Sequence, residues 1–310
     1  MSVGSDLPCF RRFQLGIPGW VPLSLSDAMS SLLSIKGKTV NKIGSSWPRC
    51  RRHRSIRLWA TMGLGLFLGM ISRGVVADDR GKTFLLIMDA PTQPASTWSW
   101  ELLKRSQRMD AVVENLRASF ALPQSLTIHF SDGEGPSYDP KRTEITLPYS
   151  FVANVARHLS NAPPLEGNTA LQADTLDVVE WVLYHELAHA FIHLYDLPVL
   201  GREEDAADAL ATFLVIELVE NGGHIALTAA DLLAHIAPYQ HDDAFWSEHT
   251  LDQQRFSQVV CWVYGSDTTQ FAPLAKSGTI PRHRAQRCPD AFMLMAEGWW
   301  RLLDRFIKSA

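Results

Sequence analysis

The chain has 310 residues, 46% of them hydrophobic and 20% charged, which supports a large folded core and excludes a disordered polymer or a short disulfide-stapled scaffold. Its formal net charge of −4 is unevenly spread: residues 1–77 hold eleven Lys and Arg against two Asp and Glu, leaving 18 against 31, or −13, for residues 78–310. An acidic body of that size repels phosphate backbones, so no nucleic-acid partner is expected.

In chain order, residues 1–57 read as a basic N-terminal extension. Its first stretch is Ser-, Leu- and Gly-rich without a period, as a misassigned start codon would produce. Arg49, Arg51, Arg52, Arg54 and Arg57 then precede an uncharged run from Leu58 to Ile71. As a helix that run rises about 21 Å, short of the roughly 30 Å core of a bilayer, so it fits a signal-peptide core better than a spanning helix. Val75-Val76-Ala77 offers small residues for cleavage after Ala77. Residues 58–77 are therefore read as the signal core and cleavage region, and residues 78–310 as one exported domain, periplasmic or secreted. The rival is an uncleaved signal segment, which would be the only membrane contact.

Removing the head also removes Cys9 and Cys50, leaving Cys261 and Cys288. Two thiols in an oxidising compartment are expected to pair. Closing a loop of this length is worth roughly 3–4 kcal/mol in the chain-entropy model. Two separate buried thiols are the alternative.

From residue 78 onward, Thr83–Met88 is an apolar run that predicts a strand, closed by Asp89-Ala90-Pro91. Helical spacing of Leu102, Leu103, Met109, Val112, Val113, Leu116 and Phe120 predicts one helix from Trp98 to Phe120. Leu126–Phe130 and Thr143–Leu147 read as strands joined by a polar loop from Ser131 to Lys141. A short helix over Phe151–Leu159, a loop over Asn161–Gly167 and a long helix over Leu176–Tyr195 follow. Glu203–Val219 reads as a helix ended by Asn221-Gly222-Gly223. The remaining helices are Asp231–Ile236, Leu251–Tyr264 and Asp290–Ile307. With no internal repeat, this is a single α+β domain, a small N-terminal sheet followed by a mainly helical part.

His185-Glu186-Leu187-Ala188-His189 lies inside the long helix. Residues four apart share a helix face, so both imidazoles reach one ion at about 2.1 Å, and Glu186 beside them is placed to take a proton from a metal-bound water. The flanking residues are uncharged, as a buried metal-binding helix requires. A zinc site needs a third protein ligand, and the next helix offers Glu204, with Asp208 one turn on to accept the free ring N–H of a ligating histidine. Asp205 or Asp208 as the ligand stays open, as does a reading of Glu203, Glu204 and Asp205 as first-turn acids only. His193 continues the series but stands about 12 Å along the helix from His185, too far to share the ion.

HExxH followed by ExxAD resembles the glutamate-ligand branch of the zincin metallopeptidases. The resemblance implies His185, His189 and Glu204 as zinc ligands, Glu186 as the base and Asp208 as the acid behind a ligand. More narrowly, the chain is similar to a bacterial family of exported metallopeptidases first catalogued as a domain of unknown function. That likeness covers most of residues 82–306, through Ser137-Tyr138-Asp139-Pro140, Cys261-Trp262-Val263-Tyr264-Gly265-Ser266-Asp267 and Arg284-Ala285-Gln286-Arg287-Cys288-Pro289. It implies a zincin-like arrangement of the α+β fold. Only fourteen residues separate His189 from Glu204, fewer than in thermolysin-like enzymes, and Gly133–Ser150 lacks the cysteines that relatives carry there.

The expected function is a zinc-dependent hydrolase, foremost an endopeptidase acting on a peptide or protein substrate. The alternatives are a metal-stabilised, inactive binding or scaffolding protein of the envelope and a zinc amidase acting on cell-wall peptides. Tyr138, Tyr195, His224, Tyr239, His241 and Tyr264 are the candidates to stabilise an oxyanion. The irregular spacing of His235, His241 and His249 with Asp242 and Asp243 speaks against a second metal site. Trp299 and Trp300 read as helix packing.

Overall fold

The computed structural model describes residues 82–160, 167–237 and 246–308. The expected extension, signal segment and cleavage site, with Cys9 and Cys50, lie outside the described residues, as do most of the 161–167 loop, Tyr239, His241, Asp242 and Asp243.

Three parallel strands make the sheet: β1 (Phe84–Met88), β2 (Leu126–Ser131) and β4 (Glu144–Pro148). The fourth, β3 (Ser137–Asp139), pairs antiparallel with β4 and gives the order β1-β2-β4-β3. Strand alternation buries Leu126, Ile128 and Phe130 of β2 with Ile145 and Leu147 of β4. Leu85 and Ile87 of β1 alternate to the other face and stay exposed. The polar stretch expected to be loop thus contains a short edge strand. Tyr138 pairs with Ile145 there, a register decided by the partner strand and invisible in three residues.

The helix expected over Trp98–Phe120 is two helices, α1 (Thr97–Ser106) and α2 (Arg108–Ser119), broken at Gln107 with φ of 51°. The apolar spacing continues through the break because both pieces face the same core. Arg108, first in α2, gives the break a partner: its guanidinium pairs with Glu180 at 2.5 Å and Asp177 at 2.6 Å.

After β4, α3 (Tyr149–Ser160) begins at a buried tyrosine whose hydroxyl donates to the carbonyls of Asp89 (2.6 Å) and Phe130 (3.0 Å), fastening the ends of β1 and β2. Next comes the long helix α4 (Thr169–Leu194), 26 residues. It starts earlier than the apolar pattern implies because Asn168 caps it, accepting from the Leu171 N–H at 3.1 Å. Leu183, Tyr184, Leu187, Ala188 and Phe191 have no exposed surface, the pattern of a helix packed on nearly every side.

Helix α5 (Glu203–Leu218) follows, then α6 (Gly222–Ile236). Asn221-Gly222-Gly223 does end α5, with Asn221 at φ 61°, but the same residues begin α6 well before Asp231. A Cβ on Gly222 would collide with the Val215 carbonyl, so the close return of the chain requires glycine. The last helices are α7 (Asp252–Ser266), the short α8 (Ala272–Lys276) and α9 (Arg282–Ala285), and α10 (Cys288–Leu303), ending in a 3-10 turn over Asp304–Phe306. Cys261 and Cys288 form a disulfide joining α7 to the start of α10. The α+β architecture is as expected: a small sheet followed by a mainly helical part. No helix among the described residues is long and apolar enough to cross a membrane.

A candidate metal centre between two helices

His185 and His189 project from one face of α4, one turn apart. After α4 the chain reverses at Asp196, in the left-handed region with φ of 51°, and passes Pro198 and Gly201 before α5 begins. Small residues, Ala188, Ala207 and Ala211 among them, are fully buried along these two helices. The hairpin sets the first two turns of α5 against the histidines in antiparallel order, Asp208 opposite His185 and Glu203 opposite His189.

Glu204 Oε2 lies 3.1 Å from His185 Nε2 and 3.4 Å from His189 Nε2. The two Nε2 atoms are 3.3 Å apart. A tetrahedral ion with bonds of about 2.1 Å requires ligand atoms about 3.4 Å from each other. The three edges therefore match a zinc-sized ion. Without one, two ring nitrogens face each other across a single carboxylate oxygen, which the available protons satisfy poorly. The donor set fits a divalent metal.

Each ring is held from behind. Asp208 Oδ1 is 2.9 Å from His185 Nδ1, and Glu203 Oε1 is 2.8 Å from His189 Nδ1. Asp208 is an acceptor only, because Arg255 grips it with two hydrogen bonds of 2.8 Å. With a metal bound, His185 would therefore donate from Nδ1 and turn the Nε2 lone pair to the ion. Burial opposes the charge on Asp208, but Arg255 and His185 bring its pKa down to about 2. Burial would lower that of His185, yet its bonds to Asp208 and Glu204 raise it to about 9. The Glu204 carboxyl, which burial alone would raise, is held far below the usual range by hydrogen bonds from His185, His189 and His249.

His185, His189, Glu203 and Glu204 line a cleft of about 630 Å³ together with Glu186, Trp181 and Tyr138. Glu186 is buried, and desolvation pushes its carboxyl up. Trp181 packs its ring 5.9 Å from that of His185. The opposite wall is the edge strand β3, where Tyr138 Oη meets His193 Nδ1 at 2.9 Å.

The alternatives left open by spacing resolve into separate positions. Asp205 accepts from Thr250 Oγ at 2.9 Å, and Asp208 sits behind His185, so Glu204 is the acid that reaches both Nε2 atoms. Glu203, Glu204 and Asp205 do also form the acidic first turn of α5. Among the oxyanion candidates, Tyr138 lines the cleft. Tyr195 instead bonds the Ala121 carbonyl and stacks on Phe306, His224 lies against Phe271 and Gln270, and Tyr264 packs against the core. His235 faces His158, while His249 joins the first site, its Nε2 2.8 Å from Glu204 Oε2. Arg255 and Glu203 were also missed. Arg255 belongs to no motif, and His249 stands 60 positions after His189, so only tertiary contact finds either.

An α+β domain that gathers two helix-borne histidines and a glutamate around one point, with a buried carboxyl beside them in an open cleft, presents a donor set that could hold a metal ion. A family model described as DUF4344, "Putative metallopeptidase", matches residues 89–303, more than two thirds of the chain, and the protein belongs to that family. No curated protein and no solved structure matches the chain.

Proposed function

We propose that the protein is a zinc-dependent hydrolase of zincin-like design, an endopeptidase that cuts peptide or protein substrates outside the cytoplasm. The observation that carries this reading is the triangle of His185 Nε2, His189 Nε2 and Glu204 Oε2, with edges of 3.1 to 3.4 Å, beside Glu186 in the cleft. Two imidazoles and a carboxylate suit zinc among the common divalent ions. Zinc held by these three residues would supply Lewis acidity and lower the pKa of water at the site.

The chain's own residues supply the rest. Glu186, its carboxyl pushed up by burial, accepts the proton of the attacking water and returns it to the leaving amine. Asp208 and Glu203 fix the ring orientations of His185 and His189. β3 is an outer strand along the cleft wall, and an extended peptide laid against it brings a carbonyl toward Glu186. The disulfide agrees with export, since such bonds persist in oxidising compartments.

The test incubates the zinc-loaded protein and its Glu186→Gln variant with a peptide library and with peptidoglycan fragments. Cleavage of library peptides by the wild type alone supports the endopeptidase. Cleavage confined to peptidoglycan fragments points to the cell-wall amidase. One observation favours a second reading: His249 brings a fourth protein donor to the site, and four protein donors are the pattern of structural zinc. A metal-stabilised binding protein would cut neither substrate, while zinc removal would lower its melting temperature.

A further inference from the structure

We propose that His249 is a fourth, displaceable protein ligand, so that the resting metal site is a closed set of three imidazoles and one carboxylate. This rests on the metal-centre reading above. His185, Glu204 and His249 present ligand atoms within 4.8 Å of one another. The same Glu204 oxygen meets all three imidazoles through Nε2, at 2.8 Å for His249, 3.1 Å for His185 and 3.4 Å for His189. The separations to His185 and His189 are close to the edge of a tetrahedron around a zinc-sized ion, about 3.4 Å, and the 2.8 Å to His249 brings a third imidazole to the same oxygen.

The segment that carries His249 is built to bring it there. Thr250 Oγ donates to Asp205 at 2.9 Å, and Arg202 Nη1 donates to the His249 carbonyl at 3.4 Å. Both anchors belong to the start of α5, the turn that carries Glu204. The His249 ring lies nearly parallel to that of His185, at 18° with centroids 6.1 Å apart.

The four donors differ in freedom. His185, His189 and Glu204 sit on helices, with side chains 7%, 14% and 16% exposed; His249 precedes α7 on non-helical chain and is 43% exposed. It alone can leave without disturbing the α4–α5 packing. Catalytic zinc keeps one position open for water or substrate, whereas structural zinc is closed by protein. A ligand held by two loop contacts makes the site closed at rest and open once substrate displaces it.

X-ray absorption at the zinc edge, on zinc-loaded wild type and His249→Ala, tests this. Three imidazoles are expected in the wild type and two in the variant. The variant's zinc affinity, read by chelator competition, should fall at least about tenfold, since weaker perturbations behind the ligands already reach that size. The wild-type count stands whether or not the variant folds. Two imidazoles in both proteins with equal affinity would overturn the closed site and leave the three-ligand centre standing. A folded wild type that takes up no zinc would overturn the metal centre itself, and this proposal with it.

Discussion

Arg255 holds Asp208 through two parallel hydrogen bonds of 2.8 Å, Nε to Oδ2 and Nη2 to Oδ1. The pair lies behind His185 and joins α7 to α5, so the orientation of a helix-borne imidazole depends on a residue 70 positions away. Asp252 also approaches Arg255, at 3.5 Å.

Arg255→Met should therefore leave a buried carboxylate without its cation. Breaking such a pair from one side costs about 3–5 kcal/mol, which urea unfolding of the metal-free protein would measure. Asp208→Asn keeps the shape but weakens the hold on His185 Nδ1. Its zinc affinity should drop about 10–100-fold, and unchanged affinity in a chelator titration would contradict the role given to Asp208.

Glu186→Gln should retain about one zinc per chain while turnover falls by about 10²–10⁴, the usual contribution of a positioned acid or base. Elemental analysis beside peptide hydrolysis separates the two effects. Glu204→Ala should instead lose most of its zinc, because the same carboxylate oxygen stands 3.1 and 3.4 Å from the two ring nitrogens.

Replacing Cys261 and Cys288 by serine should lower stability by roughly 3–4 kcal/mol, seen as a reduced melting temperature that reductant lowers no further. Zinc content should not change, since the disulfide joins α7 to α10 and neither helix carries a residue of the three-ligand triangle.

Asp231 on α6 offers a pH test away from the cleft. Burial, with Asp174 nearby, pushes its pKa up from 3.8 to about 7. Between those values the folded state holds a proton that the unfolded state has lost, so the contribution of this group to stability falls as pH rises from about 4 to 7, then stays level. Asp231→Asn should stabilise the protein by about 1–3 kcal/mol at pH 8 and change little below pH 4. Equal effects at both pH values in denaturant titrations would refute the shift.

Much of the candidate site was legible because helical geometry is local. Four residues make one turn wherever a helix forms, so His185 and His189 share a face regardless of the remaining fold. The same rule placed Glu204 and Asp208 on one face of α5, and the short connection between the helices left few ways to fold back. The α+β class was legible in the change of period from 3.6 to 2 between the Trp98–Phe120 run and the strands after it.

Other features depend on partners distant in sequence. Gln107 breaks a helix whose apolar spacing runs on unbroken, since both halves face one core and Arg108 finds Glu180 and Asp177 on another helix. β3 is too short to show a period and exists because β4 lies alongside it. Sequence alone determined which residues share a helix face, His185 with His189 and Glu204 with Asp208, because backbone geometry acts over a turn or two. Only the tertiary structure decided that Arg255 grips Asp208, that Glu203 holds His189 and that His249 reaches Glu204. Those contacts form when hydrophobic packing of α4, α5 and α7 brings remote side chains together, and no spacing along the chain encodes that meeting.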